Sequence, residues 1–236
     1  MPTPVLLILQ MLVIDMIGEE NIKQVGDPVL TGCEGKTINI ILNSMKNAFP
    51  HFKKASKQTN LHLPLNENNL TQIYVEQVDV QITPQNIGVK NHYSDIFLGT
   101  KGIPDFYFHK KEEGVVHFPL FIVEAKRLPA PDKRREKEYV VGDKNNGGIE
   151  RYKTQKHGKN LNECGMLGFV EEETFHFWKQ KINSWIIEFS SLPCSWQTDE
   201  ILMEIENGKD FTILHSIAHR VSQNDIYLYH LWISLQ

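Results

Sequence analysis

The tightest constraint on the fold of this chain is a pair of apolar, β-prone runs held close together. The first is Phe106-Tyr107-Phe108 and the second is Phe118-Pro119-Leu120-Phe121-Ile122-Val123. Between them, Lys110-Lys111-Glu112-Glu113-Gly114 has the polarity and the glycine of a hairpin loop, so the two runs are expected to pair antiparallel. Pro104-Asp105 opens the first run, and Glu124-Ala125-Lys126-Arg127 closes the second. Alternate residues of a strand share a face, so Glu124 and Lys126 point to one side and the small Ala125 to the other. Antiparallel pairing then brings Asp105 near Glu124. The expected product is two carboxylates and one ammonium at one edge of a sheet.

Such a cluster suits metal-assisted cleavage of a phosphodiester. Mg²⁺ takes oxygen ligands and is usually held by one or two carboxylates plus substrate phosphate. A lysine beside it can orient the attacking water and stabilise charge building on the phosphate. The pattern resembles the PD-(D/E)XK nuclease superfamily, which includes many restriction endonucleases: Pro104-Asp105 matches the first half and Glu124-Ala125-Lys126 the second. The apolar Phe121-Ile122-Val123 leads directly into the glutamate, as a buried central strand should. The resemblance implies a restriction-endonuclease-like α/β core, in which a central mixed sheet is flanked by helices. It also implies metal roles for Asp105 and Glu124, a catalytic role for Lys126, Mg²⁺ as cofactor with Mn²⁺ as a substitute, DNA as partner, and a homodimer if both strands are cut.

Composition sets wide bounds. The 236 residues are 41% hydrophobic and 23% charged, the balance of a globular chain and not of a disordered or membrane-embedded one. Net charge is −4, so bulk charge does not mark a nucleic-acid binder. Cys33, Cys164 and Cys194 make neither a zinc-type spacing nor an even disulfide set, so a reducing, cytoplasmic setting is the expectation. Val5 to Ile17 is apolar but interrupted by Gln10 and Asp15. It is too short to span a bilayer and lacks the basic flank and cleavage site of a signal peptide. A buried helix or strand is expected there, and no membrane partner.

Periodicity orders the rest. Glu19 to Gly35 reads as a loop. Ile38, Ile41, Leu42, Met45, Phe49 and Phe52 fall at helical spacing over Thr37 to Phe52. A second helix follows Asn66, a plausible N-cap, with Leu70, Ile73, Tyr74 and Gln77 on one face. Glu67 lies on that face. The resemblance implies a metal-proximal glutamate on this helix, with Glu67 the best match and Glu76 the runner-up. A strand is expected around Tyr93 to Leu98, another over Cys164 to Val170, and a helix carrying Trp178, Ile182, Trp185, Ile186 and Phe189. Phe211 to His219 and Ile226 to Leu235 read as strands joined by a turn at Ser222-Gln223-Asn224-Asp225. His215 and His219 stand four apart without the acid of a zinc helix motif. The expected organisation is an N-terminal elaboration over 1–65, the nuclease-like core over 66–190, and a β-rich extension over 191–236 packed on the same domain.

Charge is unevenly distributed. Residues 126–159 hold 11 Lys/Arg against 5 Asp/Glu, a net +6, so the rest of the chain carries −10. Lys and Arg supply most sequence-independent DNA affinity, so Arg127, Arg151, Lys153, Lys156 and Lys159 are candidates for phosphate binding. By likeness to the post-motif helix of the superfamily, Glu150 and Arg151 are candidates to support the site. Three readings stay open: a DNA endonuclease of restriction or anti-phage type, a non-catalytic DNA-binding or scaffold module on the same fold, and a nuclease acting on RNA or branched DNA.

Overall fold

Among the described residues, two helices precede the sheet. The computed structural model describes residues 33–192, 195–220 and 224–236, and the expectations for Val5 to Ile17 and for 19–32 lie outside them, as do Ser222 and Gln223 of the expected turn. Helix α1 spans Cys33–Ala55, so Cys33 to Gly35 are helix and not loop. It buries Ile38, Ile41, Met45, Phe49 and Phe52, the stripe that its periodicity predicts. Helix α2 spans Glu67–Ile82 and starts at Asn66, whose side chain accepts from Asn69 N–H at 2.9 Å while Asn69 returns the bond. Its buried face is Leu70, Thr71, Tyr74, Val75, Val78 and Ile82, one step away from the expected Leu70-Ile73-Tyr74-Gln77 face.

The sheet has seven strands: β1 (Ile87–Asn91), β2 (Phe106–Lys110), β3 (Phe121–Leu128), β4 (Glu163–Val170), β5 (Met203–Asn207), β6 (Phe211–Ala218) and β7 (Ile226–Ser234), in the spatial order β1-β2-β3-β4-β7-β6-β5. The β1–β2–β3 and β7–β6–β5 sets are antiparallel meanders, while β3–β4 and β4–β7 are parallel. A parallel pair needs a crossover connection. The β3–β4 crossover carries the basic segment and the short helix α3 (Gly148–Lys153); the β4–β7 crossover carries α4 (Phe175–Ser190), β5 and β6.

Two cores form, one on each face. Phe121, Val123 and Ala125 pack with α1 and α2, whereas Ile122 and Leu128 pack with α3 and α4. This α/β/α layering gives β3, β4 and β7 the near-continuous apolar burial of strands covered on both sides. Glycines in β4 permit the close approach that the sequence predicts: a Cβ at Gly165 would meet Phe121 and one at Gly168 would run into the Trp232 ring.

Two expectations are corrected. The strand expected at Tyr93 to Leu98 is a turn, because the Asp95 carboxylate gathers the backbone N–H groups of Phe97 and Leu98 and the Thr100 hydroxyl, which competes with strand pairing. Residues 191–236 are not an extension of a finished core, since β7 sits in the middle of the sheet between β4 and β6. Residues 38–236 make one compact unit.

Candidate active site

The site arises where β3 outruns β2. Pairing between them stops at Phe106 and Val123, and Pro104 has no N–H to continue it. The N–H groups of Ala125 and Arg127 are left without a strand partner, and buried backbone donors must find one. Asp105 Oδ2 accepts from Ala125 at 2.6 Å, and Glu67 Oε2 accepts from Arg127 at 3.1 Å. Two side chains from different elements are thereby fixed against the same strand.

Glu124 and Lys126 share the opposite-parity face of β3, as their spacing predicts. Lys126 Nζ donates to Glu124 Oε1 at 2.7 Å and to Ala125 O at 2.7 Å, and it lies 3.5 Å from Glu67 Oε1. Glu124 is 1% exposed and Lys126 is 5% exposed. Burial opposes the lysine charge, but the Glu124, Glu67 and Asp105 charges outweigh it and hold the ammonium protonated well above the ordinary lysine range. Asp105 shows the reverse balance: burial and the neighbouring Glu124 charge push its carboxyl up to about 7, against the opposing effect of Lys126.

The structure brings Glu67, Asp105, Glu124 and Lys126 together in one cluster. The runner-up Glu76 does not join it; it is exposed and accepts from Gln72 at 3.1 Å. Among the described residues, no three His, Cys, Asp or Glu side chains converge as a ready-made metal cage.

The basic candidates separate. Arg151 joins the cluster by pairing with Glu124 Oε1. Arg127 turns to Glu171, with Nη2 donating to Oε2 at 2.6 Å. Lys153 is 3% exposed and pairs with Glu200, its ammonium 4.6 Å from the Trp196 ring centroid. It is unavailable to an external phosphate. Lys153 follows Ile149 by four, so the two share a helical face, and packing of that face carries both inward. Lys156 braces the 144–146 turn by donating to Lys144 O and Asn145 O at 2.8 Å. Lys159 lines a separate recess with Arg220 and Asn160. Glu150 caps the loop before α3, its Oε2 accepting from Gly142 N–H at 3.1 Å and Gly147 N–H at 3.2 Å.

Three groups escaped the sequence reading. Lys133, Arg134 and Arg135 are exposed and line a cleft of about 680 Å³ whose inner wall includes Arg151 and Glu138. Glu138 is buried; desolvation raises its pKa, opposed by Lys126 and by Arg135, with which it pairs. His157 is buried beside Glu124, Nδ1 to Oε2 being 3.5 Å, and burial together with Arg151, Lys126 and Lys156 lowers its pKa to about 3, so it is neutral. No sequence signal marks either residue, because each is brought in by a loop. His219, outside this cluster, is clamped between Asp199 and Asp225 at 3.1 and 3.0 Å.

No family model, no curated protein and no solved structure matches this chain.

Two predictions follow from the geometry. Lys153→Ala should lower stability by about 3–5 kcal/mol in urea unfolding, because it strands a buried Glu200 charge; a loss below about 1 kcal/mol would show that the pair does not hold the structure. The second concerns Asp105. The folded state keeps its proton up to about pH 7, whereas an unfolded chain releases it near pH 4. The native state thus binds more protons between about pH 4 and 7, and the Asp105 contribution to stability falls as pH rises through that window. In chelator, the stability difference between the parent and Asp105→Asn should shift against the parent from pH 4 to 7; a pH-independent difference would contradict the burial of an acid here.

Proposed function

We propose that this chain is a divalent-metal-dependent nuclease with a restriction-endonuclease-like core, acting on DNA. The observation that carries the reading is the placement of Asp105, Glu124 and Lys126 at the point where β2 and β3 part, with Glu67 joining from α2. Each element there has a reason in chemistry. Two carboxylates, one on β3 and one at the residue before β2, offer the hard oxygen donors that Mg²⁺ takes, and the ion's remaining positions would go to water and substrate phosphate.

The residues present fit such an ion. Glu124 Oε2 is buried without a hydrogen-bond partner, and burial with the neighbouring Glu124 charge keeps a proton on Asp105 up to about pH 7 despite Lys126. Asp105 and Glu124 would hold the cation, with Glu67 beside them. When bound, a divalent cation supplies an activated water and a counter-charge for the leaving oxygen. Lys126 presents a permanently charged ammonium to the same space, suited to stabilising negative charge on a phosphate. Arg151 neutralises Glu124 from the side of the basic cleft, and Lys133, Arg134 and Arg135 line that cleft as a path for the sugar–phosphate backbone.

A second reading, a nucleic-acid-binding module without chemistry, draws on the Arg151–Glu124 pair: an arginine already neutralises the carboxylate that would hold a cation. Incubation of purified protein with plasmid DNA and with RNA, each with Mg²⁺ and with chelator, separates these possibilities. Mg²⁺-dependent cleavage of DNA is the expected result; binding without cleavage in Mg²⁺ and in Mn²⁺ would favour the module.

Lys126→Met keeps the buried stem while deleting the charge. It should lower the cleavage rate by about 10²–10³ while DNA binding persists; parent-like cleavage would remove Lys126 from the chemistry. Replacing Lys133, Arg134 and Arg135 together by Ala should weaken DNA binding for every sequence and flatten the log-affinity against log-salt slope by up to about 3. An unaltered slope would place the backbone elsewhere.

A further inference from the structure

One buried polar side chain beside the carboxylates has no part in the chemistry above. His157 is 2% exposed, and neither ring nitrogen has a hydrogen-bond partner. Glu124 Oε2 is in the same condition, and it faces His157 Nδ1 across 3.5 Å. A buried polar atom left without a partner is destabilising, so two such atoms facing each other are stabilised by closing that gap. The other carboxylate oxygen, Oε1, is already taken by Lys126 and Arg151, so Oε2 is the acceptor with capacity left.

The surroundings leave the imidazole little choice. Its ring stands edge-on to Tyr152, with centroids 5.7 Å apart and planes at 79°, and Tyr152 is itself held by donating to Gly165 O at 2.8 Å. Gly102 packs over it from the loop before β2. A Cβ there would run into the Lys156 carbonyl and the His157 ring, so only glycine lets that loop close over the imidazole. The same loop delivers Asp105 three residues later. A neutral imidazole has a single N–H to give, on one nitrogen or the other.

We infer that His157 is a positioning residue for Glu124: its Nδ1–H donates to Oε2 and fixes the plane of the carboxylate. The inference rests on the nuclease reading, in that an oriented carboxylate matters for holding a cation. Outer partners of metal ligands typically change affinity about 10- to 100-fold when removed. The asparagine amide reaches the Nδ1 position of histidine, whereas the glutamine amide reaches the Nε2 position, so the two substitutions discriminate an Nδ1 bond from simple packing.

The experiment has two arms. Nitrogen-15 NMR of the metal-free parent should show His157 as the neutral, Nδ1-protonated tautomer; an Nε2-protonated ring would overturn the inference. Calorimetry with Mn²⁺ should then find His157→Asn near the parent, and His157→Gln and His157→Phe weaker by about 10- to 100-fold, with thermal melting confirming that each variant is folded. Equal Mn²⁺ affinity in parent, Gln and Phe variants would overturn the positioning role. If the Phe variant does not fold, the order of Asn against Gln decides. A parent that binds no Mn²⁺ and cuts no DNA would overturn the nuclease reading instead, and the tautomer would still decide whether the hydrogen bond exists.

Discussion

The structure around the site depends on an unequal pair of strands. β3 continues for five residues past its last pairing with β2, and its backbone donors on that side cannot be left dry. Asp105 and Glu67 take those donors. That single requirement draws the loop before β2 and the start of α2 onto one strand, whatever chemistry follows. It also crowds carboxylates together, and crowded buried carboxylates need cations, because taking an ion out of water costs several kcal/mol unless it is paired. Lys126 and Arg151 meet that need.

The charge balance that results is unusual in its division. Three carboxylates, Glu67, Asp105 and Glu124, stand against two cations, and the acid that keeps its proton is the one facing neighbours of its own sign. A divalent cation entering such a cluster displaces a proton instead of meeting a fully neutralised pair. On that ground the proposed metal role is assigned here and not to a closed structural salt bridge such as Lys153–Glu200.

Helix α3 shows how much a short element can organise. Three consecutive residues go three ways: Arg151 to Glu124, Tyr152 to the Gly165 carbonyl, Lys153 to Glu200. The turn before it is anchored to the centre of the sheet. Trp232 Nε1–H donates to the Tyr139 oxygen at 2.8 Å, which leaves the Tyr139 O–H for His230 Nδ1 and His230 Nε2–H for Ser216 Oγ. Glu138, next to Tyr139, is carried with that anchor to the cleft wall.

The residues that were legible beforehand are those whose positions follow from local rules. Strand alternation alone puts Glu124 and Lys126 on one face, hairpin pairing alone puts Asp105 beside Glu124, and the Asn66 cap alone sets where Glu67 enters its helix. Helical spacing likewise identified the buried stripes of α1 and α4. What the sequence could not determine is everything set by long-range assembly. That β7 lies inside the sheet between β4 and β6, that Asp95 folds its own loop into a turn, and that Lys153 is buried while Lys133, Arg134 and Arg135 stand open all depend on which surfaces meet. A run of charges has no period that separates a solvated lysine from a paired one. His157 is the clearest instance: a lone histidine in a polar stretch acquires its place against Glu124 only when Gly102 and Tyr152, fifty residues apart in the chain, close on either side of it.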